Sequence, residues 1–101
     1  MSGILGLLGL GYRGRRVTVG VDAVRKELQA GKCWCVVVAE DASPRAIEKV
    51  VRLATAKGVP LLPGPRAAAI GAHLGKPPVM AVGVRDRALA SGMVQLAPGR
   101  S

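Results

Sequence analysis

Trp34-Cys35-Val36-Val37-Val38-Ala39-Glu40-Asp41-Ala42-Ser43-Pro44 decides the fold, because it reads as a strand handing over to a helix. Val36-Val37-Val38-Ala39 is apolar at every position rather than at every second one, the pattern of a strand covered on both faces. Ser43 is then a natural N-cap and Pro44 a natural first helical residue. Over 44–57, Ile47, Val50, Val51 and Ala54 form a core-facing stripe, while Arg45, Glu48, Lys49 and Arg52 face water. Glu48 and Arg52 are spaced for an i,i+4 ion pair, and Gly58 ends the helix. A doubly covered strand feeding an amphipathic helix belongs to the α/β class, with helices on both faces of a mixed or parallel sheet.

The same pattern repeats on either side. Strands are expected at 16–19, 34–39, 60–62 and 79–84. Helices are expected at 21–30, 44–57, 66–73 and 86–95. Val21, Val24 and Leu28 share a face of the 21–30 helix and Gly31 stops it; Gly75 and Pro77-Pro78 stop the 66–73 helix; Asp86 stands near the start of the last. Ile4-Leu5-Gly6-Leu7-Leu8-Gly9-Leu10 predicts a first helix with one face in the core. Gly3, Gly6, Gly9 and Gly11 each cost about 1 kcal/mol there relative to Ala, so packing must hold it. The order α-β-α-β-α-β-α-β-α predicts four strands in a mixed or parallel sheet sandwiched between helices. At 101 residues this is one domain, with a core over about 4–95 and a loose tail over 96–101. There is no internal repeat or linker.

Fifteen Lys and Arg against six Asp and Glu give a net charge of +9, the electrostatic profile of a protein with a polyanionic partner. Aromatics make up only 2%, which argues against the stacking platform of single-stranded RNA modules. The apolar N-terminal stretch has no Lys or Arg before it and no cleavage pattern after it, and is too short to span a bilayer, so no membrane partner is expected. Cys33 and Cys35 flank Trp34; on a strand both point to one face, too close for an unstrained bridge and without zinc-site spacing. His73 adds at most a third ligand. Free thiols and a cytoplasmic location are therefore expected, with no metal and no other cofactor.

Gly20-Val21-Asp22-Ala23-Val24-Arg25-Lys26 opens the second helix on a glycine, with cations pointing outward. A helix start of this kind attracts phosphate through its N–H groups and its dipole, and Arg15, Arg16, Arg25, Lys26 and Lys32 would add the field. Together with Leu8-Gly9-Leu10, Gly31-Lys32, Val38-Ala39-Glu40-Asp41-Ala42-Ser43, Lys57-Gly58-Val59-Pro60 and Ile70-Gly71-Ala72-His73-Leu74-Gly75, this segment resembles the kink-turn RNA-binding superfamily of ribosomal proteins, the L7Ae and L30e group, and in particular its small bacterial YlxQ-like members. The resemblance covers about residues 4–95.

The resemblance implies a three-layer α/β/α sandwich with a central four-stranded mixed sheet and a non-catalytic RNA-binding function. Members typically carry Gly-x-Asn-Glu-x-x-Lys at the start of the second helix, which enters the RNA groove at tandem sheared G·A pairs. Gly20 and Lys26 match; Asp22 and Ala23 replace the Asn and the Glu. Ionised Asp22 accepts hydrogen bonds but cannot donate, and Ala23 does neither, so base discrimination weakens by about 1–3 kcal/mol for each bidentate pair that can no longer form. The implied RNA site takes Gly20, Val21 and Asp22 at the turn. Arg15, Arg16, Arg25, Lys26 and Lys32 would lie on phosphates or guanine edges, Glu40 and Arg66 on flanking loops, and Val82, Gly83, Val84 and Arg85 would close over an extruded base. The expected partner is structured RNA, kink-turn or ribosomal, with the ribosome itself as a further candidate and no small-molecule substrate. The alternative is a ribosome-associated protein-interaction module of the same fold that has lost kink-turn specificity.

The remaining constellations carry little chemistry. Glu40-Asp41 reads as a turn into the Ser43 cap rather than an acid/base pair, since adjacent residues point apart. His73 has no nucleophile and acidic orienter beside it. Gly64-Pro65-Arg66 lacks the pattern of a nucleotide-binding loop, and the Gly9, Gly11, Gly14 string has no strand before it.

Overall fold

The computed structural model describes residues 3–96. Five helices and four strands alternate along the chain: α1 Gly3–Arg13, β1 Val17–Val19, α2 Val21–Gln29, β2 Cys35–Val38, α3 Pro44–Ala56, β3 Leu61–Pro63, α4 Ala67–Leu74, β4 Ala81–Val84 and α5 Arg87–Leu96. The expected order of elements is the observed one. Boundaries move by one or two residues, and α1 is longer than the apolar stretch that signals it. Leu96 of the expected tail closes α5, and residues 97–101 lie outside the described residues.

The sheet has the order β1-β4-β2-β3. β4 pairs antiparallel with both β1 (Val17↔Val84) and β2 (Cys35↔Val84), while β2 and β3 run parallel (Val36↔Leu61). The central strands are thus β2 and β4, which accounts for their unbroken apolar sequence. Val36, on one face of β2, packs with Val24 and Leu28 of α2 and Val50 and Ala54 of α3. Cys35, Val37 and Ala39, on the other face, pack with Ile4 and Leu8 of α1, Ile70 and Leu74 of α4 and Met93 of α5. Leu8, Leu28, Ile70 and Met93 are fully buried, and each such side chain contributes about 1.5–3 kcal/mol.

The expectation that Cys33 and Cys35 share a face is not met. Cys33 lies ahead of β2, where strand alternation does not apply, and packs against α2 and α3, while Cys35 packs on the α1 side. The Cys33 Sγ donates to the Cys35 carbonyl at 3.2 Å, and both thiols are free.

Helix ends follow the sequence in part. Gly58 and Gly75 take left-handed conformations after α3 and α4, at φ 68° and 70°. Pro44 stands in the first turn of α3 and Arg52 Nη2 bonds Glu48 Oε2 at 2.7 Å. Ser43 occupies the N-cap of α3, yet its side chain makes no capping bond. The side chains that do cap are aspartates. Asp86 Oδ1 accepts from the Leu89 N–H at 2.8 Å at the start of α5. Asp41 Oδ1 accepts from the Ala67 N–H at 2.8 Å and caps α4 from 26 residues away.

Candidate nucleic-acid interface

Strand directions sort the surface into two ends. β1 leads into α2, β2 into α3 and β3 into α4, so these three helices all begin at one end of the sheet. The Gly20 N–H donates to Ala81 O at 2.9 Å and the Ala39 N–H to Met80 O at 2.8 Å. These bonds tie the start of α2 and the β2–α3 loop to Met80 and Ala81, where the chain enters β4.

Gly20 has φ 103° and ψ 149°, a conformation in which an L side chain costs about 1–3 kcal/mol, and a Cβ there would meet nothing within 4 Å. Glycine is required by the backbone and leaves the approach to α2 open. No side chain caps the helix, so its first-turn N–H groups and positive dipole end face outward. Asp22 is 85% exposed, and its Oδ1 lies 3.8 Å from Arg25 Nη2. Lys26, one residue on, is exposed, with no ion pair among the described residues. Across the opening, Arg66 Nε lies 3.6 Å from Glu40 Oε2, both exposed. Arg45, in the first turn of α3, is exposed at the same end.

Seven of the expected site residues, Gly20, Val21, Asp22, Arg25, Lys26, Glu40 and Arg66, therefore lie at or next to the start of α2 and the loops beside it. The others do not. Arg15 and Arg16 stand before β1 and Lys32 after α2, which puts them at the far end, about 14 Å away by the length of the nine-residue α2. Arg15 adopts φ 57° in the turn after α1. Arg16 Nε lies 3.6 Å from Asp86 Oδ2.

The segment 82–85 needs correction as well. Val82, Gly83 and Val84 are buried inside β4, where a base cannot reach them. The Arg85 N–H bonds Arg16 O at 2.7 Å, again at the far end. Its Nε lies 3.2 Å from the buried Glu27 Oε1, an ion pair without hydrogen-bond geometry. Sequence reasoning points to the loop that leaves β4, whereas the antiparallel pairing sets the loop that enters β4 beside Gly20. Sequence reasoning also misses Arg45 and the capping role of Asp41.

Asp41 is engaged by α4 and Glu40 by Arg66, in line with a structural turn. His73 is exposed, its ring over Gly9, where a Cβ would stand 3.0 Å from Nε2. Burial pushes both thiols up from a value of 9.0, Cys35 to about 12 with a further push from Cys33. Among the described residues no group of three His, Cys, Asp or Glu could hold a metal ion, and no helix is long and apolar enough to cross a membrane.

Residues 4–93 match the Ribosomal protein L7Ae/L30e/S12e/Gadd45 family. The chain belongs to that family. It is similar to the RNA-binding protein YlxQ of Bacillus subtilis, 34% identical over 90 residues that cover 89% of this chain and 90% of that protein. Among solved structures, a protein of unknown function from Bacillus halodurans superposes with a TM-score of 0.88 at 25% identity, covering 95% of this chain and 97% of the other. A Giardia lamblia 15.5kD RNA binding protein shares the fold, with a TM-score of 0.79 at 22% identity over 92% of this chain and 80% of the other. L7Ae-family membership places the chain among non-enzymatic proteins.

Proposed function

We propose that this L7Ae-family chain binds structured RNA, with the first turn of α2 entering a groove and a kink-turn or related bend as the preferred shape. The observation that carries the reading is the uncapped, unobstructed start of α2 at Gly20, in a chain of net charge +9. Phosphates gain from the first-turn N–H groups and the dipole, and Arg25, Lys26, Arg45 and Arg66 stand at or beside that end to extend the contact. The name of its Bacillus subtilis relative, an RNA-binding protein, supports the same partner. Met80, at the entry to β4, replaces 82–85 as the element beside the helix start that packs on an extruded nucleotide.

Asp22 sets the specificity problem. Its carboxylate favours the helix start by about 0.3–1 kcal/mol and repels phosphate at the same point, and Arg25 offsets that repulsion only across 3.8 Å. The reading is therefore of general structured-RNA affinity with reduced preference for G·A-containing bends. Ribosomal RNA fits it, and so does a cytoplasmic setting, in which two free, buried thiols persist.

The test is binding of the purified protein to a kink-turn RNA and to a duplex of equal length lacking the G·A pairs, across a salt series. Preference for the kink-turn that persists at moderate salt supports the full reading. Equal, salt-sensitive binding leaves RNA binding and removes kink-turn specificity. Absence of binding to either overturns both.

A further inference from the structure

We propose that the end of the molecule opposite Gly20 is a second RNA contact, where an unpaired nucleotide stacks on Trp34 and its neighbours' phosphates lie on the surrounding cations. The proposal rests on the RNA-binding reading above and extends it to a separate surface.

Trp34 is 50% exposed and belongs to neither core cluster, although it is the only tryptophan of the chain. Its backbone is held firmly, the N–H donating to Val84 O at 2.8 Å, so the ring is presented from a fixed point at the start of β2. The Arg87 guanidinium lies 5.5 Å from the ring centroid, an exposed pair of the kind that continues onto a stacked base. The indole also borders a cleft of about 420 Å³ whose apolar wall is Leu28, Cys33 and Val59, with Lys57 among its lining. That volume is within the range of small-ligand pockets, roughly 300–1,000 Å³.

Charge selects the occupant. Arg16, Lys32, Arg85 and Arg87 gather at this end with Lys57, against the carboxylates of Glu27 and Asp86. A polyanion answers the charge, and a nucleobase answers the flat apolar ring, so a single-stranded nucleotide segment answers both. Cations also line the surface between the two ends. A groove of about 230 Å³ between α2 and α3 is lined by Arg25, Gln29, Lys49, Arg52 and Leu53. Leu53 is one helical turn before Lys57, so the groove leads from the second turn of α2 toward the Trp34 cleft. RNA docked at Gly20 can therefore send a single strand along a cationic path to Trp34.

The experiment uses a kink-turn RNA with blunt ends and the same RNA carrying a ten-nucleotide adenosine tail at one or the other strand end, with Trp34 fluorescence as the reporter. One tailed form is expected to bind about tenfold tighter than the blunt RNA and to quench the emission. Trp34→Ala and, separately, Lys57→Ala should abolish most of that advantage and leave blunt-RNA affinity unchanged. If blunt and tailed RNAs bind equally without quenching, the second contact is wrong and the RNA-binding reading stands. If no form binds, both are wrong. An advantage that survives Trp34→Ala puts the tail elsewhere and overturns the proposal, as does quenching by a polyglutamate peptide in place of the RNAs, which would assign the cleft to an acidic protein segment.

Discussion

Removing the carboxylate of Asp41 should weaken the fold more than removing the hydroxyl of Ser43, although Ser43 is the residue in the helix N-cap position. Asp41 Oδ1 accepts the Ala67 N–H at 2.8 Å, whereas Ser43 makes no capping bond. Loss of a working side-chain cap costs about 0.5–2 kcal/mol, and this one is also an anion at the start of a helix, worth a further 0.3–1 kcal/mol or so. Asp41→Ala should therefore cost about 0.8–3 kcal/mol. In a domain of this size each kcal/mol lowers Tm by about 4–8 °C, so a fall of roughly 3–24 °C is expected in a thermal melt followed by circular dichroism. Asp41→Asn keeps the acceptor and loses the charge, so it should lose only the smaller part. Ser43→Ala should stay within about 0.5 kcal/mol of the parent. The reasoning is refuted if Ser43→Ala melts lower than Asp41→Ala, or if Asp41→Asn is as damaging as Asp41→Ala. The first result would mean α3 needs its own cap; the second, that charge rather than the hydrogen bond holds α4.

Gly71→Ala should be strongly destabilising in denaturant titration, by about 1–3 kcal/mol or more, because the new Cβ falls on Pro77 O and within 2.7 Å of Lys76 O, backbone atoms that cannot step aside. The gain in helix propensity, about 1 kcal/mol, does not offset this. Cys35 is protonated in the folded state up to about pH 12 but ionises from about pH 9.0 once unfolded, so its contribution is complete below pH 9 and is lost as pH rises through that window. Parent stability should fall more steeply from pH 9 to 11 than that of Cys35→Ala, by up to about 1.4 kcal/mol per pH unit, and native Cys35 should resist iodoacetamide that alkylates it in urea. Asp22→Asn with Ala23→Glu should raise kink-turn affinity over matched duplex by about tenfold or more in a filter-binding assay; no change would remove the start of α2 from the RNA face.

Much of the architecture is legible because burial writes itself into residue choice. Val36-Val37-Val38-Ala39 announces a strand covered on both faces, and the stripe from Ile47 to Ala54 announces the helix that covers one of them. What one chain's periodicity does not carry is which strands pair and in which direction, since antiparallel β2–β4 and parallel β2–β3 bury the same side chains. The candidate site suffers from the same gap. Arg15, Arg16 and Lys32 are close to Gly20 in sequence, yet β1 and α2 carry them to the opposite end of the molecule. Segment 82–85 is misplaced by sequence reasoning because only the β1–β4 register shows that β4 begins, rather than ends, beside Gly20. Long-range caps are invisible for a related reason: Ser43 has the right local pattern, while Asp41 reaches a helix 26 residues away that no local rule connects to it.

The division of charge between the two ends bears directly on how tightly RNA can be held. A net charge of +9 suggests a strong polyanion site, but the Debye length at physiological salt is about 8 Å and α2 alone is about 14 Å long. Cations at the Trp34 end therefore do little for phosphates held at Gly20. Arg25, Lys26, Arg45 and Arg66 remain there, set against Asp22 and Glu40. Four phosphate contacts at most give a log–log salt slope of about −3 to −4, a modest electrostatic affinity. With Asp22 and Ala23 in place of base-reading residues, direct readout adds little to it. Tight binding through the α2 end alone is thus poorly supplied on both counts, and the proposed contact at Trp34, reached along the α2–α3 groove, would supply it. An RNA engaging only the bend would be held weakly; one long enough to reach both ends would gain cations that no compact ligand can use together.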